Sequence, residues 1–264
     1  MTRYTALILA SLRARLAYRG AFGLALLGAA LSLAAQWFLW RAIFADQPER
    51  PLAGFSLAQI GSYLLLAQGV APFVDNRLEH DIAADVLRGD IVVALVRPQH
   101  YTLQRACSAL GTALAHALGV ALPLLALSLF WLPLPWPGTG QAGLFALSLG
   151  LATGVALALN TLLGAAALLT TNIWGLQTLK TALLGIFSGQ LIPLSFFSPG
   201  WQQVLDWLPF KALVHTPCVI GLGQAQAAAA WRLLAQQALW LGLLALLCAW
   251  VWRRAAGRLE VAGG

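Results

Sequence analysis

An all-α polytopic membrane fold is predicted by three observations: a composition too apolar for a soluble globule, six apolar stretches of bilayer-spanning length, and basic residues gathered on one side of them. Of the 264 residues 60% are hydrophobic and only 9% charged, and so few polar groups cannot coat a soluble chain of this length. A bilayer core takes roughly 20 apolar residues per helix. Segments 21–44, 55–74, 106–132, 141–169, 174–197 and 228–252 each supply them, which predicts six spans within one domain, 1–264. With the N-terminus inside, eleven of the 16 Lys and Arg residues flank the cytoplasmic ends: Arg3, Arg13, Arg15, Arg19, Arg77, Arg88, Arg97, Arg105, Arg253, Arg254 and Arg258. The outer ends hold only Arg41, Arg50, Lys211 and Arg232. Basic residues favour the cytoplasmic side, so both termini and the 76–105 loop are expected there.

Residues 1–20 place those first four arginines among Tyr4, Leu7, Ile8, Leu12 and Leu16, the pattern of a helix lying in the membrane interface. The apolar run that follows continues to Phe44, too long for the core of a signal peptide, and is expected to remain as the first span. Trp37 and Trp40 mark its outer end. The outer loops 45–54 and 133–140 are short. Segment 198–226 is too polar to span, yet it carries Trp201, Trp207, Leu205, Phe210, Val219 and Ile220. It is expected to form re-entrant or interfacial helices broken at Pro209 and Pro217, covered by protein because lipid cannot satisfy free backbone groups.

The long polar stretch 76–105 holds Glu79, Asp81, Asp85 and Asp90, four of the nine acidic residues. At 3.6 residues per turn Arg77, Asp81, Asp85 and Arg88 form one stripe, with Leu78, Ile82, Val86, Ala83 and Leu87 on the other side. A helix with one wet face is predicted here. Gly89 ends it and Pro98 stops the short apolar run beyond. Glu79 falls inside the apolar arc, where an acid in the first helical turn is favoured by the helix dipole. The alternating charges also make a self-stabilising solvated face of the ordinary kind.

Inside the membrane, Gln177, Lys180 and Ser188 give span five a polar side, with Gly185 and Gly189 nearby, and Gln59 and Ser62 give span two a weaker one. A buried cation needs a partner or water, which makes Lys180 a pathway candidate, although its stem is long enough to snorkel to the headgroups. These residues are expected to line a path between subunits. The pairs Gly150/Gly154 and Gly185/Gly189 and the series Gly111, Ala115, Gly119 suit close helix approach. Cys107, Cys218 and Cys248 and the four histidines show no disulfide or metal-ligand spacing. No metal site and no catalytic residue is predicted. The run GIFSG at 185–189, with His215 as a conceivable base, is a poor match to a serine-protease motif. There is no phosphate-binding loop and no basic cluster interleaved with aromatics, so neither ATP hydrolysis by this chain nor nucleic-acid binding is expected.

Two stretches carry a family resemblance. DVLRGDIVVALVRPQHY at 85–101 resembles the segment after the second span of type-2 ABC transporter permeases, and SGQLIPLSFFSPGWQQVLDWLPFKALVHTPCVIGLG at 188–223 resembles their segment from the end of span five. Phe197-Ser198-Pro199 departs from the adjacent Phe-Pro expected there. The resemblance implies an exporter subunit in a bacterial inner membrane, working with a second permease, itself or a sister chain, and with a separate ATPase. That ATPase would bind the ATP and Mg, and the permease would bind no cofactor directly. Residues 1–20 would then be an elbow helix and 198–226 an outer gate. Arg77, Leu78, Asp81, Ile82, Asp85, Val86, Arg88 and Gly89 would lie on a coupling helix that docks on the ATPase. Two other classes compete: an ion-coupled secondary transporter, for which neither an intramembrane acid nor a repeated half is visible, and a structural membrane subunit indifferent to nucleotide.

Overall fold

A computed structural model describes residues 3–45, 50–96, 100–128, 139–170 and 172–256. Residues 46–49 and 133–138 of the predicted outer loops, the end of the third predicted span, Arg97, Pro98 and Arg258 lie outside them. Twelve α-helices run through the described residues: α1 (Arg3–Leu16), α2 (Arg19–Ile43), α3 (Leu57–Val74), α4 (Leu78–Arg88), α5 (Asp90–Val96), α6 (Tyr101–His116), α7 (Leu122–Ser128), α8 (Thr139–Ala165), α9 (Trp174–Phe187), α10 (Pro199–Asp206), α11 (His215–Gly221) and α12 (Ala227–Ala256). A π turn, Ala117–Ala121, joins α6 to α7 just before Pro123, whose missing N–H and ring an unbroken α-helix accommodates poorly.

Five stretches are long and apolar enough to cross a membrane: Arg19–Ile43, Leu57–Arg88, Tyr101–Ser128, Gly140–Leu168 and Ala227–Arg254. The predicted fifth span differs. Its helix α9 stops at Phe187 after 14 residues, about 21 Å at 1.5 Å per residue, against a hydrocarbon core of about 30 Å. Gly189 then takes φ +86°, a left-handed conformation that turns the chain out of the helix.

α3 is the centre of the bundle. Ile60, Tyr63, Leu64 and Val70 on it are fully buried, packed with Leu33 and Trp40 of α2, Val155 and Ala156 of α8, and Cys218 of α11. Its start is set by a capping box, in which Ser56 Oγ accepts from Gln59 N–H at 3.3 Å and Gln59 Oε1 accepts from Ser56 N–H at 2.9 Å. Gln59 is thereby tied to the start of α3. Glycines set the close approaches between helices: a Cβ on Gly111 would collide with Ile8 O of α1, and one on Gly164 would lie 2.7 Å from Ile82 Cβ of α4. Gly154 faces Leu241 of α12, whereas Gly150, its partner in the motif, has open space beside it.

Between α9 and α12 the chain folds back. α11 packs on α3 and α8, and Cys218 and Ile220 are buried. Gln237 of α12 ties the segment down, donating to Ala212 O at 2.7 Å and Ser148 O at 3.2 Å while accepting from Ser148 Oγ at 2.9 Å. Pro209 lies in the turns between α10 and α11, as a helix breaker should. Pro217 does not break a helix: it is the third residue of α11, in the first turn, where a missing N–H leaves no bond unmade. Trp201 stacks on Phe187 at 6.3 Å and Trp207 is 83% exposed.

Candidate functional site

Asp75, Asn76 and Arg77 break the chain between α3 and α4 and aim α4 across the end of the bundle. Arg77 adopts φ +54°, strained for a residue with a side chain, and it caps α4 with its backbone only. Asn76 fixes the break, its Oδ1 accepting from Leu78 N–H at 3.3 Å and from Asn160 Nδ2 of α8 at 3.0 Å.

Beneath this corner lies a buried ionic network. Lys180 of α9 donates to Glu79 of α4 in a short ion pair whose side chains are only 7% and 3% exposed, and it reaches Asp75 Oδ1 at 3.5 Å and Asn160 Oδ1 at 3.4 Å. Two oppositely charged groups removed from water persist only when paired. Lys180 therefore does not snorkel; it faces inward and joins α9 to α4. The same contact accounts for Glu79 in the apolar arc, which the helix dipole alone left underexplained.

A second network holds the other end of α4. Asp85 is 1% exposed, accepting from Tyr101 Oη at 2.6 Å, from Arg105 in a short ion pair, and from Arg88 at 3.4 Å. Asp85 thus leaves the wet stripe assigned from spacing. The reason is that Tyr101 and Arg105 start α6 beside it, and their donors compensate its desolvation. The exposed stripe is rotated accordingly and comprises Arg77, His80, Asp81, Leu87 and Arg88, with Ala84 half-buried among them. Leu87, assigned to the apolar side from spacing, is instead 59% exposed, because the rotation that buries Asp85 carries it outward. Leu78 and Ile82 are fully buried against the chain's own α8 and Trp252, so the apolar side of α4 needs no partner to cover it. Removing each such side chain from water contributes about 1.5–3 kcal/mol. Val86 is half-buried, and Gly89 ends α4 at φ +75°.

The remaining predicted site residues sit inside the fold. Ser62 is buried and donates to Ala58 O at 3.1 Å. Gln177 is 8% exposed, with Nε2 unpartnered. Gly185 has only an ordinary contact with Leu191, whereas a Cβ on Gly189 would meet Tyr63 Oη at 2.6 Å. Tyr63 donates to Gly189 O at 2.7 Å and lies 3.2 Å from His215 Nδ1, while His215 N–H donates to Ser188 O at 2.8 Å. Ser188 and His215 are thus neighbours, but through backbone; the Ser188 hydroxyl donates to Leu184 O, and no nucleophile–base pair is formed. Spacing on a single helix had no means of finding Asn76, Tyr101, Asn160 and Arg105, because each acts across elements. The signal available was the misplaced Glu79 together with a lone intramembrane lysine.

Fold and site define a multi-span helical membrane protein whose polar helix α4 is keyed by charge into the ends of its own spans. The family model of the ABC-2 family transporter protein matches residues 30–263, and the chain belongs to that family. It is a membrane permease of an ABC transporter. A search of curated proteins returned no match.

Proposed function

We propose that the chain is the six-segment permease subunit of an ATP-driven exporter, forming its path with a second permease and receiving its stroke from a separate ATPase through α4. The single observation that carries this reading is the two-sided character of α4. Its inner side is tied to α9 by Glu79–Lys180 and to α6 by Asp85–Tyr101 and Asp85–Arg105, while its outer side presents charges and the exposed Leu87. A force on that outer side reaches two membrane segments without first breaking a contact. ATP and Mg belong to the partner in this reading. The protein lies in the inner membrane of a bacterium with both termini and α4 on the cytoplasmic side; α1 is the elbow helix, and 198–226 with its tryptophans forms the outer gate. The buried Glu79 does not favour ion-coupled transport, since its charge is already matched by Lys180 within the fold.

The test is Asp81→Lys combined with Leu87→Glu, both on the exposed stripe. The expected result is normal membrane insertion with loss of ATPase co-purification, because charge reversal at an interface rim and a charge in its apolar centre both oppose docking. Undiminished co-purification would remove α4 as the docking helix.

A further inference from the structure

Lys180 has two carboxylates within reach, and two buried polar atoms beside it have no partner. Glu79 Oε2 and Gln177 Nε2 are both unsatisfied, although Glu79 is 2% and Gln177 8% exposed. Each such atom is costly in a dry interior. Lys180 joins the two helices at Glu79, and Gln177 precedes Lys180 by three residues, on the same buried face of α9. An acceptor without a donor thus stands about one helical turn from a donor without an acceptor.

We propose that Glu79 and Gln177 are positioning residues for a second seat of α9 on α4, in which Gln177 Nε2 donates to Glu79 Oε2 while Lys180 bridges Glu79 and Asp75, so that the buried carboxylate keeps its cation in either seat. The shift is short, because Asp75 Oδ1 is already 3.5 Å from Lys180 Nζ, and Asp75, 53% exposed, keeps its charge solvated throughout. α9 is free to make the change. It packs loosely on its neighbours, and an apolar gap of about 180 Å³ separates it from α8, with Leu159 and Leu163 on one wall and Leu176, Leu179 and Leu183 on the other. Its far end is pinned where Gly189 O accepts from Tyr63, so the end carrying Gln177 swings about Gly189, a residue already in the left-handed conformation of a turn. The use of this swing in transport rests on the coupling reading above. The two seats themselves are a property of the chain and are measured without any ATPase.

The experiment places nitroxide labels at Leu87 on α4 and Thr178 on α9, both exposed, in the full chain with Cys107, Cys218 and Cys248 replaced by alanine and reconstituted in lipid nanodiscs. Pulsed dipolar spectroscopy then reads the distance distribution. Two populations are expected, separated by no more than about 5 Å, the reach between neighbouring positions on a helix face. Gln177→Leu is expected to deplete the second about tenfold or more, the effect of losing a hydrogen bond to a charged acceptor. Gln177→Glu is expected to deplete it as well, by setting a like charge against Glu79, which a role in packing alone does not require. A distribution that Gln177→Leu leaves unchanged overturns the proposal, whether it holds one population or two, and it leaves the docking role of α4 standing.

Discussion

Removing the charge of Lys180 alone is expected to cost far more than removing the whole ion pair. Lys180→Met leaves Glu79 ionised at 3% exposure with its principal partner gone, a situation that costs about 3–5 kcal/mol. Glu79→Leu is milder, because Lys180 retains Asp75 at 3.5 Å and Asn160 Oδ1 at 3.4 Å; about half that loss is expected. Joining Lys180→Met to Glu79→Leu replaces two desolvated charges by apolar groups of similar size, and such replacements are often neutral or stabilising. The double variant is therefore expected within about 1 kcal/mol of wild type, a coupling energy of at least about 2 kcal/mol, which is large for neighbouring residues. The assay is reversible unfolding in mixed detergent micelles, followed by tryptophan fluorescence. Effects that add to within about 0.5 kcal/mol would refute the claim that these two residues join α4 to α9.

At Gly189 an added Cβ meets both a left-handed backbone and the Tyr63 hydroxyl 2.6 Å away; Gly189→Ala should lower stability by at least about 2 kcal/mol, and wild-type thermal unfolding of the purified variant would contradict this. Asp85→Lys should disrupt folding, since it sets a cation against Arg105 in a buried site, whereas the exposed Asp81→Lys should change stability by less than about 0.5 kcal/mol; detergent-solubilised yield and melting temperature separate the two. An impermeant thiol reagent applied to intact cells should leave a single cysteine at Asp81 unlabelled, as the excess of basic residues on that side requires, and labelling from outside would invert the proposed topology.

Composition alone determined the class of fold, because a chain with 9% charged residues has no solvent but lipid for most of its surface. The helix over Leu78–Arg88, its glycine stop and the turn at Pro209 were also legible, since each depends on neighbours within a few residues. Tertiary packing decided the rest. Pattern on one helix placed Asp85 on the wet side and left Glu79 as an oddity; the arrival of Arg105 and Tyr101 on α6 and Lys180 on α9 turned both carboxylates inward, because a buried charge goes wherever its counter-charge is held. Likewise six apolar stretches met the length a bilayer needs, but α9 ends after 14 residues. Hydropathy counts apolar residues without regard to conformation. The left-handed turn at Gly189 is held by the Tyr63 hydroxyl and the His215 backbone on other elements, partners that lie 126 and 26 positions away in the chain.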